Sequence, residues 1–185
     1  MTSRPRLLGL LAVPLVLAAC GGTSAAPSAN PSMAGMTQAA GAAPTATAKM
    51  VCGEDISSQV VQVLSLATPP KTSSTWIDSV YTCTYDLPMG PMVLSVQVAP
   101  DDAAATTAFA DDRARLAPTE ELFGLGEAAF GTPTGVAVVR KDNEVLTVDT
   151  TALPEVFGSN GQRRTDLANE IASDVLGCWT GDGDE

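Results

Sequence analysis

Residues 80–98 read VYTCTYDLPMGPMVLSVQV, and this stretch decides the fold. In its first half Tyr81, Cys83, Tyr85 and Leu87 fall on one side of an extended chain. A period of two marks a strand that buries one face. Pro88-Met89-Gly90-Pro91 interrupts the run with turn-forming residues, and Met92, Leu94, Val96 and Val98 then resume the alternation. The stretch is a β-hairpin. Strands that are apolar on one side only belong to an antiparallel sheet, whose apolar face needs helices over it.

The flanking sequence supplies those helices. On the N-terminal side, Gly53-Glu54-Asp55 opens a helix with acids in its electropositive first turn. Ile56, Val60, Val63, Leu64 and Ala67 make one apolar stripe, and Pro69-Pro70 ends it. On the C-terminal side, Pro100-Asp101-Asp102 caps a second helix reaching roughly Leu116, with Ala105, Ala108, Phe109 and Leu116 inward. Leu122–Gly131 is a glycine-punctuated approach to a third strand. Val136–Val139 and Val145–Val148 flank Lys141-Asp142-Asn143-Glu144 as a second hairpin. Gly158-Ser159-Asn160-Gly161 breaks the chain. Leu167, Ala168, Ile171, Ala172, Val175 and Leu176 then stripe a last helix, with Gly177 placed as its C-terminal cap. The expectation is an α+β fold: a single domain over residues 50–180, with an antiparallel sheet of about four or five strands packed with three helices. Residues 181–185 form an acidic tail.

The chain has 185 residues, 21 acidic and 10 basic side chains and no histidine, for a net charge of −11. Such a surface repels phosphate, which argues against nucleic acid. The absence of histidine removes the usual general base and the commonest transition-metal ligand.

The N-terminus carries the clearest targeting signal. Arg4 and Arg6 precede the apolar run Leu7–Leu17, and Leu17-Ala18-Ala19-Cys20 closes it. The run is too short to span about 30 Å of hydrocarbon. Residues 1–19 therefore read as a signal peptide, and Leu17–Cys20 is similar to a bacterial lipobox, in which the cysteine thiol carries diacylglycerol. Two or three acyl chains hold a protein firmly to a bilayer, at about 0.8 kcal/mol per buried methylene. Losing Arg4 and Arg6 leaves the mature chain still more acidic, so lipid alone must do the anchoring. Lipidated Cys20 and an Ala/Gly/Pro/Ser/Thr-rich tether occupy residues 20–49, a composition unable to offset the entropy of ordering.

Past Cys20 the cysteines are Cys52, Cys83 and Cys178, which allow three pairings. Cys52–Cys83 is favoured because it staples the first helix to the first strand of the hairpin. Cys52–Cys178, joining the two ends of the domain, is the rival.

Candidate chemistry is sparse. Two Met-x-x-Met pairs, Met33 with Met36 and Met89 with Met92, offer thioethers suited to Cu(I). Core filler and linker composition is the better reading of them. Asp101-Asp102 and Asp111-Asp112 do not share a helical face. Gly124, Gly126 and Gly131 do not fit the dinucleotide fingerprint. The doublets Arg113/Arg115, Arg140/Lys141 and Arg163/Arg164 read as solvated faces balanced by acids such as Glu120 and Asp166, or, more sharply, as a small-anion or acidic-glycan site. A Ser–Lys dyad would have to recruit Lys71 or Lys141. No catalytic residues and no cofactor are assigned.

The chain resembles the uncharacterised small cell-envelope lipoproteins of high-GC Gram-positive actinobacteria, built from a lipobox, a disordered tether and a domain of unknown function. The resemblance is carried by Leu17–Cys20, Cys52, Tyr81-Thr82-Cys83-Thr84-Tyr85, Gly124-Leu125-Gly126-Glu127-Ala128-Ala129-Phe130, Val138-Val139-Arg140-Lys141-Asp142-Asn143 and Leu176-Gly177-Cys178-Trp179. It implies a domain used for binding on the outer face of the cytoplasmic membrane, whose partner is an envelope protein, a glycan or a small ligand. The alternative expectation is a Cu(I)-handling lipoprotein.

Overall fold

The computed structural model describes residues 43–158 and 160–181. Helix α2 (Glu54–Leu64) and strands β2 (Val80–Leu87) and β3 (Gly90–Val98) stand where the periodicities place them. Helix α3 (Asp102–Arg115) and the hairpin of β6 (Val136–Lys141) and β7 (Glu144–Asp149) do so too. The remaining elements are helices α1 (Ala46–Met50) and α4 (Arg164–Gly181) and strands β1 (Lys71–Ile77), β4 (Glu120–Glu121), β5 (Ala128–Gly131), β8 (Val156–Phe157) and β9 (Gln162–Arg163).

Seven strands form one antiparallel sheet in the order β1-β2-β3-β7-β6-β5-β4, and β8 and β9 pair separately. Two meanders, β1–β3 and β4–β7, thus meet along the β3–β7 ladder, where Leu94 lies opposite Val148 and Val96 opposite Leu146. Helix α3 is the crossover between them. Cys83, Tyr85, Met92, Leu94, Val96, Val139, Leu146 and Val148 make the main core with α1, α2 and α4. On the other face α3 sets Ala105 and Phe109 against Phe130, Val136, Val138 and Val145.

The α+β class holds, and four expectations are corrected. The main sheet has seven strands rather than four or five, chiefly because β1 is polar: it is exposed along both faces except at Trp76, so burial writes no apolar period into it. The tether ends earlier than residue 49, since Thr45 caps α1 and Ala48 is fully buried. Helix α2 stops at Leu64, with Ser65 in the left-handed conformation (φ 50°), before Pro69-Pro70 is reached. Gly177 does not cap α4, which continues to Gly181. The expected signal peptide and lipidated Cys20, the expected tether to residue 42, Met33 and Met36, and the expected acidic tail past residue 181 lie outside the described residues.

Candidate binding cleft

One end of the molecule gathers the loop between β4 and β5, the tip of the β6–β7 hairpin, the C-terminal half of α4 and the start of α1. The antiparallel register brings this about. Ala128 at the start of β5 pairs with Arg140, and Lys141 pairs with Glu144 across the hairpin turn. The loop is fastened to the hairpin by the Glu127 amide, which donates to the Arg140 carbonyl at 2.9 Å. The Arg140 guanidinium returns the contact to Glu127 Oε2 at 2.5 Å. Gly126 has φ +54°, and a Cβ there would stand 2.6 Å from the Arg140 carbonyl oxygen. Only glycine fits this crossing.

Between loop and helix lies a cleft of about 480 Å³, lined by Leu125, Glu127, Lys141, Ser173 and Leu176 with the backbone of Gly124 and Gly126. Phe123 stands beside it in sequence, 85% exposed. Lys141 also lines a hollow of about 190 Å³ with Thr45, Thr47, Asn143, Glu144 and Trp179. There Glu144, only 6% exposed, accepts at Oε1 from the Thr45 hydroxyl at 2.5 Å and the Thr47 hydroxyl at 2.9 Å. Trp179 Nε1 donates to the Thr47 carbonyl at 3.1 Å. A buried carboxylate is thus satisfied by the segment that leads out to the tether.

The Lys141 ammonium donates to Asp142 Oδ2 at 2.7 Å. That hydrogen bond, with the neighbouring carboxylates, raises its pKa above the ordinary lysine value. Lys141 and Ser173 line the same cleft, but a catalytic base needs a depressed lysine pKa. Lys141 is tuned the other way. It suits a fixed positive charge at the cleft, held by Asp142.

The other candidate residues scatter. Cys52 and Cys83 form the disulfide, with Cα atoms 5.4 Å apart. Cys178 is buried in the main core, outside that bond. Met92 is fully buried and Met89 packs against the core from the surface, so the pair is spent on packing. A Cu(I) site shared with the tether would need thioethers reachable from outside. Asp101 caps α3, accepting from the Ala104 amide at 2.8 Å. Four of the six basic side chains in the doublets pair with acids, and Glu120 and Asp166 line one hollow with Arg163. Arg115 pairs with Asp112, Arg140 with Glu127 and Arg163 with Glu155, while Arg113 lies over the Phe130 ring. Arg164 donates to the carbonyls of Thr151 and Leu153. Among the described residues no cluster of three metal-ligating acidic or cysteine side chains occurs.

Sequence reasoning missed Thr45, Thr47 and Glu144, because it assigned the first two to the tether and the third to a hairpin turn. The spacing Thr45-x-Thr47 ahead of an apolar Ala48 was the available signal, a capping residue before a short helix.

Comparison with known proteins names no relative. No family model, curated protein or solved structure matches the chain.

Proposed function

We propose that the chain is a lipid-anchored, extracytoplasmic binding module that holds a ligand or envelope partner in the cleft between the β4–β5 loop and α4. One observation carries the compartment: the Cys52–Cys83 disulfide ties the turn before α2 to the sheet, and such a bond persists in oxidising surroundings outside the cytoplasm. It agrees with the lipobox-like Leu17–Cys20. The cleft supports the binding role, since its volume falls in the range of about 300–1,000 Å³ found for small-molecule sites. Its lining combines the apolar Leu125 and Leu176 with Lys141 and Glu127, one charge of each sign, which suits a small amphipathic or peptide-like ligand better than a polyanion. Among the described residues no helix is long and apolar enough to cross a membrane.

Two arms of one experiment test the reading. In cell fractionation the wild type is expected in the membrane fraction and Cys20→Ala in the soluble fraction. A photocrosslinking side chain at Ser173 is expected to capture a partner that the same group at Asp111, on the opposite face, does not. Membrane retention of Cys20→Ala contradicts the anchor, and equal capture at both positions contradicts the cleft.

A further inference from the structure

Strand β1 closes one edge of the seven-stranded sheet, and among the described residues nothing pairs with its outer side. The two-residue turn Asp78-Ser79 (φ 51° and 62°) joins it to β2, with Ile77 opposite Val80. In such a hairpin the closing pair is hydrogen-bonded inward, so alternation turns the N–H and C=O groups of Thr72, Ser74 and Trp76 outward. Sheet edges of this kind are commonly blunted by shortness, charge, proline or a bulge. The opposite edge is blunted: β4 is two residues long and both are glutamates. Strand β1 is seven residues long, carries one charge at its very start and has no proline.

We propose that β1 is the edge along which two copies of this chain pair, antiparallel, about a twofold axis through Ser74. Four features favour a second copy over another partner. In this register Thr72 meets Trp76 of the partner copy and Ser74 meets its own mate, so the six outward groups on each strand bond reciprocally. Lys71 falls opposite Ile77, beside the turn that carries the exposed Asp78, so opposite charges meet at both ends and no like charges face each other. The pairing also covers half-buried Trp76 and Ile77, which is 64% exposed. On a chain of net charge −11, Lys71–Ile77 is a stretch without a carboxylate, where two copies can approach. A single strand pair buries less than the roughly 1,200 Å² of a stable interface, so association in solution is weak. Confinement to a membrane would raise the effective concentration, but the pairing itself needs no anchor.

The test is disulfide trapping of the purified mature protein. In an antiparallel hydrogen-bonded pair the Ser74 Cα atoms would stand about 5.5 Å apart, within disulfide reach. Under mild oxidation Ser74→Cys is expected to give a covalent dimer about tenfold faster than Asp111→Cys, an exposed control away from the edge. Adding Thr72→Pro removes an outward N–H without touching the β1–β2 ladder and should bring the rate down to the control. Adding Lys71→Glu should slow it without altering the backbone. Equal rates for Ser74→Cys and Asp111→Cys overturn the proposal, as does a Ser74→Cys rate unmoved by both added substitutions. A Ser74→Cys product in cells that joins a different protein in place of the dimer also overturns it.

Discussion

Tyr85 links the two halves of the main core. It is fully buried on β2, and its hydroxyl donates to the Val51 carbonyl at 2.6 Å, one residue before the disulfide. Burial, reinforced by Tyr81, lifts the phenol well above its ordinary pKa, so it stays a donor throughout the physiological range. Tyr85→Phe leaves a buried carbonyl without its partner and should cost about 1–3 kcal/mol, read as a lower thermal midpoint. Asp174 works in the opposite sense. Its Oδ2 is buried without a hydrogen-bond partner among the described residues, and burial first, then Glu170, raises its pKa. A raised carboxylate favours the fold only while protonated. That contribution is full below the ordinary Asp value of about 3.9 and is lost as pH rises through the raised one. Asp174→Asn should therefore raise the thermal midpoint near neutral pH, with the gain vanishing by about pH 3. An equal gain at both pH values would show that the charge is not the cause.

Among the elements, α1 and the disulfide decide where the domain begins. The disulfide closes a separation of 31 residues, and replacing both Cys52 and Cys83 by alanine should cost about 3–4 kcal/mol in denaturant unfolding. Helix α1 is short, but Thr45, Thr47 and Ala48 bind it to Glu144, Trp179 and the core. A chain trimmed to begin at residue 50 should melt lower than one beginning at residue 43, whereas a tether reaching to residue 49 would make the two equal. The elements that bury apolar residues were legible in the sequence: α2, β2, β3, α3 and α4 by the period that one buried face imposes, and β6 and β7, buried on both faces, as short continuous apolar runs flanking a turn. Strand β1 and helix α1 were not. Lys71–Ile77 is polar and exposed except at Trp76, and Ala46–Met50 is too short to show a helical period and is rich in Ala and Thr like the residues before it. The open half of the second sheet face shows the same limit. Thr75, Thr82, Ser95 and Thr147 line up across four strands as a row of hydroxyls, a register that only the pairing reveals.

At the scale of the whole molecule, the described chain begins at the end that holds the cleft. Thr45 sits against the β6–β7 tip, whose Lys141 lines both hollows. The sequence named Lys141 and the Gly124–Phe130 segment as points of interest. It could not show that Ser173 and Leu176 on α4 face them, because that meeting depends on the β5–β6 register and the length of α4. Substituting Gly126 by Ala forces a Cβ into the Arg140 carbonyl and should weaken ligand capture at the cleft before it unfolds the domain. The central claim is that Cys20, outside the described residues, becomes the lipid-bearing N-terminus of the mature chain. Intact-mass spectrometry of the protein extracted from cell membranes tests it most directly. A chain beginning at Cys20 and heavier by a diacylglyceryl group is the expected result, and an unmodified Cys20, or a chain that still carries residues 1–19, would contradict the account.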